Sequence, residues 1–120
     1  MYSLYSLNDI YFGYRNGIIT KINNDVIAVV GREITFINTN NYQIISILTI
    51  ERMLCFCKLD DENYLVGGRN KIVQFEFKNN IARKVCEKEK AHEERISSII
   101  SLSDGSIISN GLDGTTKLWK

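Results

Sequence analysis

Asp104-Gly105-Ser106-Ile107-Ile108-Ser109-Asn110-Gly111-Leu112-Asp113-Gly114-Thr115-Thr116-Lys117-Leu118-Trp119 sets two short apolar runs around a Leu-Asp-Gly turn, just after a first turn at Asp104-Gly105. Aspartate tolerates a left-handed backbone and glycine supplies positive φ, so Asp-Gly between apolar runs is a strong hairpin signal. The runs are too short for helices and are rich in Ile and Thr, which favour strands.

The pattern recurs. Moved back by 43 positions, Ser101–Leu118 lands on Lys58–Phe75 without a gap. Leu102 meets Leu59, Asp104 meets Asp61, Ile108 meets Leu65, Gly111 meets Gly68, Asp113 meets Asn70 and Leu118 meets Phe75. Moved back by 80, Ile99–Gly111 meets Ile19–Gly31, which continues through a shorter turn into Arg32-Glu33-Ile34-Thr35-Phe36-Ile37. A fixed spacing of this size indicates a repeat built from one small sheet per unit. Strands a to d are expected at 18–22, 26–30, 33–38 and 43–48 in the first unit. In the second they fall at 54–58, 64–68, 71–77 and 81–86, and in the third a to c fall at 96–101, 106–110 and 115–119. The units thus span 18–48, 54–86 and 96–120 of one partial domain covering 1–120.

Residues 2–7 and 10–14 read as two further strands. Residues 10–22 could alternatively form a b–c hairpin, because Tyr14-Arg15-Asn16-Gly17 is similar to Gly111-Leu112-Asp113-Gly114; the longer match at a shift of 80 favours strand d of one unit followed by strand a of the next. Arg83–Arg95 has helical composition, but the repeat frame makes it the end of a strand followed by a charged loop.

His92, a strand, a strand closing near Ser109-x-Gly111, the Asp113-Gly114 turn and a strand ending in Trp119 together resemble a WD-repeat (Trp-Asp repeat) of a β-propeller. Lys120 stands where that family's final Asp would follow the Trp. The resemblance implies an all-β fold of four-stranded antiparallel blades. It also implies a structural hydrogen-bond tetrad of His92, Ser109, Asp113 and Trp119, in which the Asp accepts from the His and the Ser links the His to the indole. Such a network satisfies buried polar groups and stiffens a blade. In the other two units Asn70 and Glu33 stand for Asp113, and Glu76 (at the gapless shift of 43) and Asn38 (through the first unit's shorter turn) stand for Trp119.

The resemblance further implies a partner-receiving top face made of b–c turns and d–a loops. Arg32 and Arg69 sit there in equivalent turns, with Arg95 in the loop before strand a. Arginine pairs bidentately with carboxylates and is favoured at interfaces. The function expected is a non-catalytic protein-interaction scaffold binding other proteins or peptides; the alternative is a small β-sandwich or barrel domain that binds a small ligand. Three blades do not close a ring of four to eight. The chain is therefore expected to be a propeller fragment, one half of a two-chain ring, or a marginally stable truncated product. The strand missing after Trp119 would come from an N-terminal strand, more easily between two molecules than within one.

Other chemistry finds little support. Ser, His and Asp invite a hydrolase reading, but no Gly-x-Ser-x-Gly context surrounds Ser109, and no catalytic residue is assigned. Cys55 and Cys57 alternate along one strand and share a face, yet Cys86 and the sole histidine lie far off in sequence, so apolar filling is expected rather than a metal site. Asp60-Asp61-Glu62 falls on a tight turn. No phosphate-binding loop and no cofactor are expected. A net charge of +1 gives no reason to expect nucleic acid or an anionic membrane as partner, and no apolar run is long enough to span a bilayer. Three cysteines, an odd number, the lack of an Asn-x-Ser/Thr sequon and the lack of a signal-like N-terminus place the protein inside the cell, in the cytoplasm.

Overall fold

The computed structural model describes residues 17–50 and 53–120. The strands expected at 2–7 and 10–14 lie outside these residues. Among the described residues there are only strands and turns, with no helix, so Arg83–Arg95 is strand and loop. The strands are β1 Ile18–Lys21, β2 Val26–Val30, β3 Glu33–Asn38, β4 Ile44–Thr49, β5 Met53–Lys58, β6 Asn63–Gly68, β7 Ile72–Lys78, β8 Ile81–Lys88, β9 Ile96–Ser101, β10 Ile107–Gly111 and β11 Thr116–Trp119. They form three antiparallel sheets, each in chain order: β1-β2-β3-β4, β5-β6-β7-β8 and β9-β10-β11. Among the described residues strands pair only within a unit, and Gly31, Gly68 and Gly111 all stand at the end of a second strand. That arrangement excludes the sandwich, whose sheets would mix strands from different units.

The repeat is written most clearly in the first turn of each sheet. The amides of Ile22, Leu59 and Leu102 donate to the carbonyls of Val26, Asn63 and Ser106 at 2.9, 2.9 and 2.8 Å. In each turn an Asn or Asp side chain accepts from the amide two residues on: Asn23 from Asp25, Asp60 from Glu62, Asp104 from Ser106. These are Asx turns, the reason Asn and Asp serve where proline is lacking. The third connection of the second sheet is a two-residue hairpin at Asn79-Asn80, both with positive φ, the geometry that matches strand twist.

The second connections differ in length. Val30 pairs with Ile34, Gly67 with Ile72 and Asn110 with Thr116. The intervening loop therefore grows by one residue from each sheet to the next. This corrects the alignment of the third strands: Trp119 pairs with Ile107, and the same ladder position is Phe75 opposite Tyr64 and Ile37 opposite Ile27. The residues equivalent to Trp119 are thus Phe75 and Ile37, both apolar and buried, rather than Glu76 and Asn38.

Two cores lie between the sheets. The first joins sheets one and two through Val26, Ala28, Val30, Ile34 and Phe36 on one side and Tyr64, Val66, Val73, Phe75 and Phe77 on the other. Phe36 stacks on Phe77 at 4.5 Å and meets Phe75 edge-on at 5.8 Å, while Tyr64 stacks on Phe75 at 5.3 Å. The Tyr64 hydroxyl reaches the Ile22 carbonyl of the neighbouring sheet at 3.3 Å. The second core joins sheets two and three through Cys55, Cys57, Leu65 and Ile72 against Ile96 and Ile99, with Ile107 and Trp119 alongside. Its sheets come close: a Cβ on Gly67 would lie 2.7 Å from the Cys55 sulfur and 2.8 Å from an Ile99 methyl.

Both strand cysteines are therefore filling a tight interface. Burial pushes the Cys55 thiol up to about 11, whereas Cys86 is exposed on β8. Among the described residues no cluster of His, Cys, Asp and Glu is grouped to hold a metal. A maleimide reagent at pH 8 should label Cys86 alone in the native chain, with Cys55 and Cys57 reacting only in denaturant. Mass spectrometry of the labelled peptides checks this, and native labelling of Cys55 would contradict the packing of sheets two and three.

Candidate functional site

The third sheet and the loop leading to it carry the densest polar network. The longer turn 111–115 gives Asp113 room to fold back beneath the strand end. There its carboxylate accepts from the Thr115 amide at 3.0 Å, the Thr115 hydroxyl at 2.6 Å and the Glu93 amide at 2.8 Å. His92 Nδ1 stands 3.3 Å from both Asp113 oxygens and 3.0 Å from Thr115 Oγ1. Its other nitrogen, Nε2, is 2.7 Å from Ser109 Oγ, which accepts from the Trp119 indole N–H at 2.8 Å. The indole has only a donor and the carboxylate only acceptors, so the proton order follows. Trp119 donates to Ser109, Ser109 donates to His92 Nε2, and His92 donates from Nδ1 to Asp113.

The chain of bonds is shut away from water. His92 is 2% exposed, Ser109 0% and the Asp113 side chain 6%. Each polar group would be costly unpartnered, and each has a partner. The Thr115 hydroxyl, above all, with the amides of Thr115 and Glu93 and with His92, holds the Asp113 carboxyl well below the usual carboxylate range. Gly111 makes the approach possible: a Cβ there would lie 2.5 Å from His92 Nδ1 and 2.7 Å from Asp113 Oδ1. Thr115 and Gly111 were not among the expected site residues. An Asp-Gly-Thr turn was the available signal for Thr115, since a hydroxyl two residues after Asp can return to its carboxylate.

The loop before β9 is fastened on both sides. The Ala91 amide donates to Asn70 O at 2.7 Å, and its carbonyl accepts from Lys117 Nζ at 2.7 Å. In the same way the Met53 amide donates to Gly31 O at 3.0 Å. Each loop between sheets is thus tied to a second turn of the preceding sheet, and these turns and loops share one end of the three sheets. Arg32, Arg69 and Arg95 are exposed at that end, and none of the three has an ion-pair partner among the described residues. The Arg95 carbonyl accepts from Leu112 at 2.8 Å, and the Leu112 side chain is 65% exposed beside it.

The fold is that of WD-repeat β-propeller blades, and the solved structures it resembles are WD40 propeller domains. The first, in a crystal structure of the mitotic checkpoint complex, has a TM-score of 0.72 and 14% sequence identity, covering 87% of this chain and 35% of that one. The C-terminal WD40 domain of Sif2 gives 0.71 and 7%, covering 84% and 32%. The WD40 β-propeller domain of Doa1 gives 0.63 and 19%, covering 85% and 36%. The chain therefore spans 32–36% of the length of the solved chains it matches. No family model matches the sequence, and no curated protein matches it.

Removing the imidazole in His92→Ala leaves Ser109 and Asp113 facing a void, and should cost about 2–4 kcal/mol. Gly111→Ala, which presses a methyl onto the same ring, should cost about 1–3 kcal/mol. Urea titration at neutral pH measures both. Asp113 also predicts a pH effect. Its pKa is lowered on folding, so its contribution is complete above the unfolded value of about 3.9 and is lost as pH falls below it. Asp113→Asn should be less stable than the parent at pH 7 and lose less of its remaining stability between pH 5 and pH 3.

Proposed function

We propose that this chain is a non-catalytic protein-interaction module of WD-repeat type, whose turn-and-loop end receives an acidic protein segment. The observation that carries the reading is the repeated placement of arginine with no ion-pair partner among the described residues. Arg32 and Arg69 each follow the glycine that closes a second strand, and Arg95 precedes β9 at the same end. A guanidinium without an internal partner is free to take a carboxylate bidentately. Leu112, exposed next to Arg95, supplies an apolar contact of the kind that interfaces combine with arginine.

In this reading His92, Ser109, Asp113 and Trp119 are a brace. They hold the 91–95 loop on the third sheet and so position Arg95. The linear order Ser-His-Asp matches that of a hydrolase triad in connectivity. Ser109 Oγ, however, is fully buried and already engaged by Trp119 and His92, which leaves no path for a substrate carbonyl. No cofactor is needed for such a role. Among the described residues no helix is long and apolar enough to cross a membrane, and three free thiols suit a reducing intracellular compartment. A second partner is another copy of the chain, because apolar side chains are exposed on the end sheets.

A fluorescein-labelled Glu-rich peptide carrying one aromatic residue is a suitable probe. Arg32→Glu with Arg69→Glu should weaken its binding by about tenfold or more, read by fluorescence anisotropy at low salt. Arg83→Glu on β8, whose guanidinium already faces Glu76 at 3.2 Å, should leave binding unchanged. Equal binding by the parent and the double variant would sink the proposal.

A further inference from the structure

At the end of the sheets opposite the arginines, the first sheet departs from the second. The third connection of the second sheet is the two-residue hairpin Asn79-Asn80, whereas its counterpart in the first sheet is the five-residue loop 39–43. The longer loop is braced throughout. The amides of Asn38 and Tyr42 donate to the carbonyls of Gln43 and Asn38 at 2.9 and 2.7 Å, and that of Thr39 donates to Asp25 O at 2.8 Å. The amides of Asn40 and Gln43 donate to the side chains of Asn38 and Asn41 at 2.7 and 3.0 Å, and Asn40 Nδ2 donates to Asp25 Oδ1 at 3.2 Å.

This loop holds Tyr42 at a φ of +59°. The left-handed region disfavours a bulky residue and suits Gly or Asn, and the hairpin of the next sheet uses Asn79 and Asn80 for it. Tyr42 gains no internal contact in return. Among the described residues its side chain makes no hydrogen bond and no ring contact, and both Tyr42 and Ile44 are 52% exposed. An unfavourable backbone conformation kept at an exposed aromatic residue points to function and not to packing. A tyrosine already held in place also loses little freedom when a partner covers it.

The surrounding charge says what that partner is. The connections at this end, 22–25, 39–43, 59–62, 79–80 and 102–106, contain Asp25, Asp60, Asp61, Glu62 and Asp104 and no lysine or arginine. Lys58 and Lys78, at strand ends, already stand 3.6 Å from Asp61 and 3.8 Å from Glu62. Asp25, which holds the loop through Asn40, has no ion-pair partner among the described residues. The Tyr64 hydroxyl lies 3.3 Å from Ile22 O and 3.2 Å from Asp61 O, which sets the first turns of sheets one and two side by side. We propose that Tyr42 and Ile44 receive a basic segment of another protein. An arginine of that segment lies on the Tyr42 ring, a neighbouring apolar side chain covers Ile44, and a second cation meets Asp25. A guanidinium both stacks on an aromatic face and pairs with a carboxylate. This site is separate from the arginine-bearing end and selects the opposite charge.

Fluorescence anisotropy at low salt tests it, with a fluorescein-labelled peptide of alternating Arg and Leu as the probe. The parent chain should bind the peptide. Tyr42→Asn should weaken that binding by about tenfold while keeping or raising the urea midpoint, because Asn suits the left-handed position. Asp25→Asn retains an oxygen for the Asn40 bond but loses the charge, and should weaken binding by about threefold. Arg32→Glu with Arg69→Glu should not weaken it, so this site and the arginine-bearing end fail separately. A parent that does not bind the peptide, or Tyr42→Asn binding as tightly as the parent, would overturn the proposal. A lower urea midpoint in Tyr42→Asn would overturn it too, since the ring would then be serving the fold.

Discussion

A β-sheet stacked between two others has no face for water, and the second sheet here is built to that constraint. Along β6 the residues from Tyr64 to Gly68 are all buried, where a sheet with one wet face would alternate. Tyr64 and Val66 face the first sheet, and Leu65 and Gly67 face the third. The same demand reaches the turns. Backbone groups at the sheet ends have to find partners within the stack, and the Asx turns and the amide bonds from Met53 and Ala91 provide them.

The two interfaces meet this constraint by different chemistry. Sheets one and two are joined by interleaved rings, which bury much area and fix orientation through stacked and edge-on contacts. Sheets two and three have thiols, a glycine and short aliphatic side chains, and so approach more closely, but with less apolar mass. What the second interface lacks in volume is offset by directed bonds. Ser101 Oγ donates to Lys58 O across it at 3.1 Å, and the His92 network fixes the loop that spans it. A satisfied polar chain rigidifies its surroundings because each group has only one good arrangement.

Much of this was legible in the residues. The shifts of 43 and 80 located every first turn, because each needs an Asn or Asp to accept the amide two residues on. Strand limits followed within a residue or two, β8 running to Lys88 instead of Cys86. The alignment failed on the third strands, gapless in the second unit and shortened by too little in the first, since a loop that lengthens by one residue displaces everything after it along the ladder. Hence Glu76 and Asn38 were matched to Trp119, when pairing puts Phe75 and Ile37 there. The proximity of His92, Ser109, Asp113 and Trp119 was legible through resemblance, not through spacing. The close approach of Gly111 to the imidazole was not, because it depends on how the 91–95 loop folds over the strand end.

The peptide at Ala91 has a bearing on how the stack melts. In linear arrays of repeats, the strength of coupling between neighbours decides whether units unfold singly or together. Ala91 gives its amide to the second sheet and its carbonyl to Lys117 of the third. Neither sheet can therefore open without breaking a bond held by the other. This single peptide thus couples the last two sheets, and its amide hydrogen becomes open to exchange only when its bond to the second sheet at Asn70 breaks.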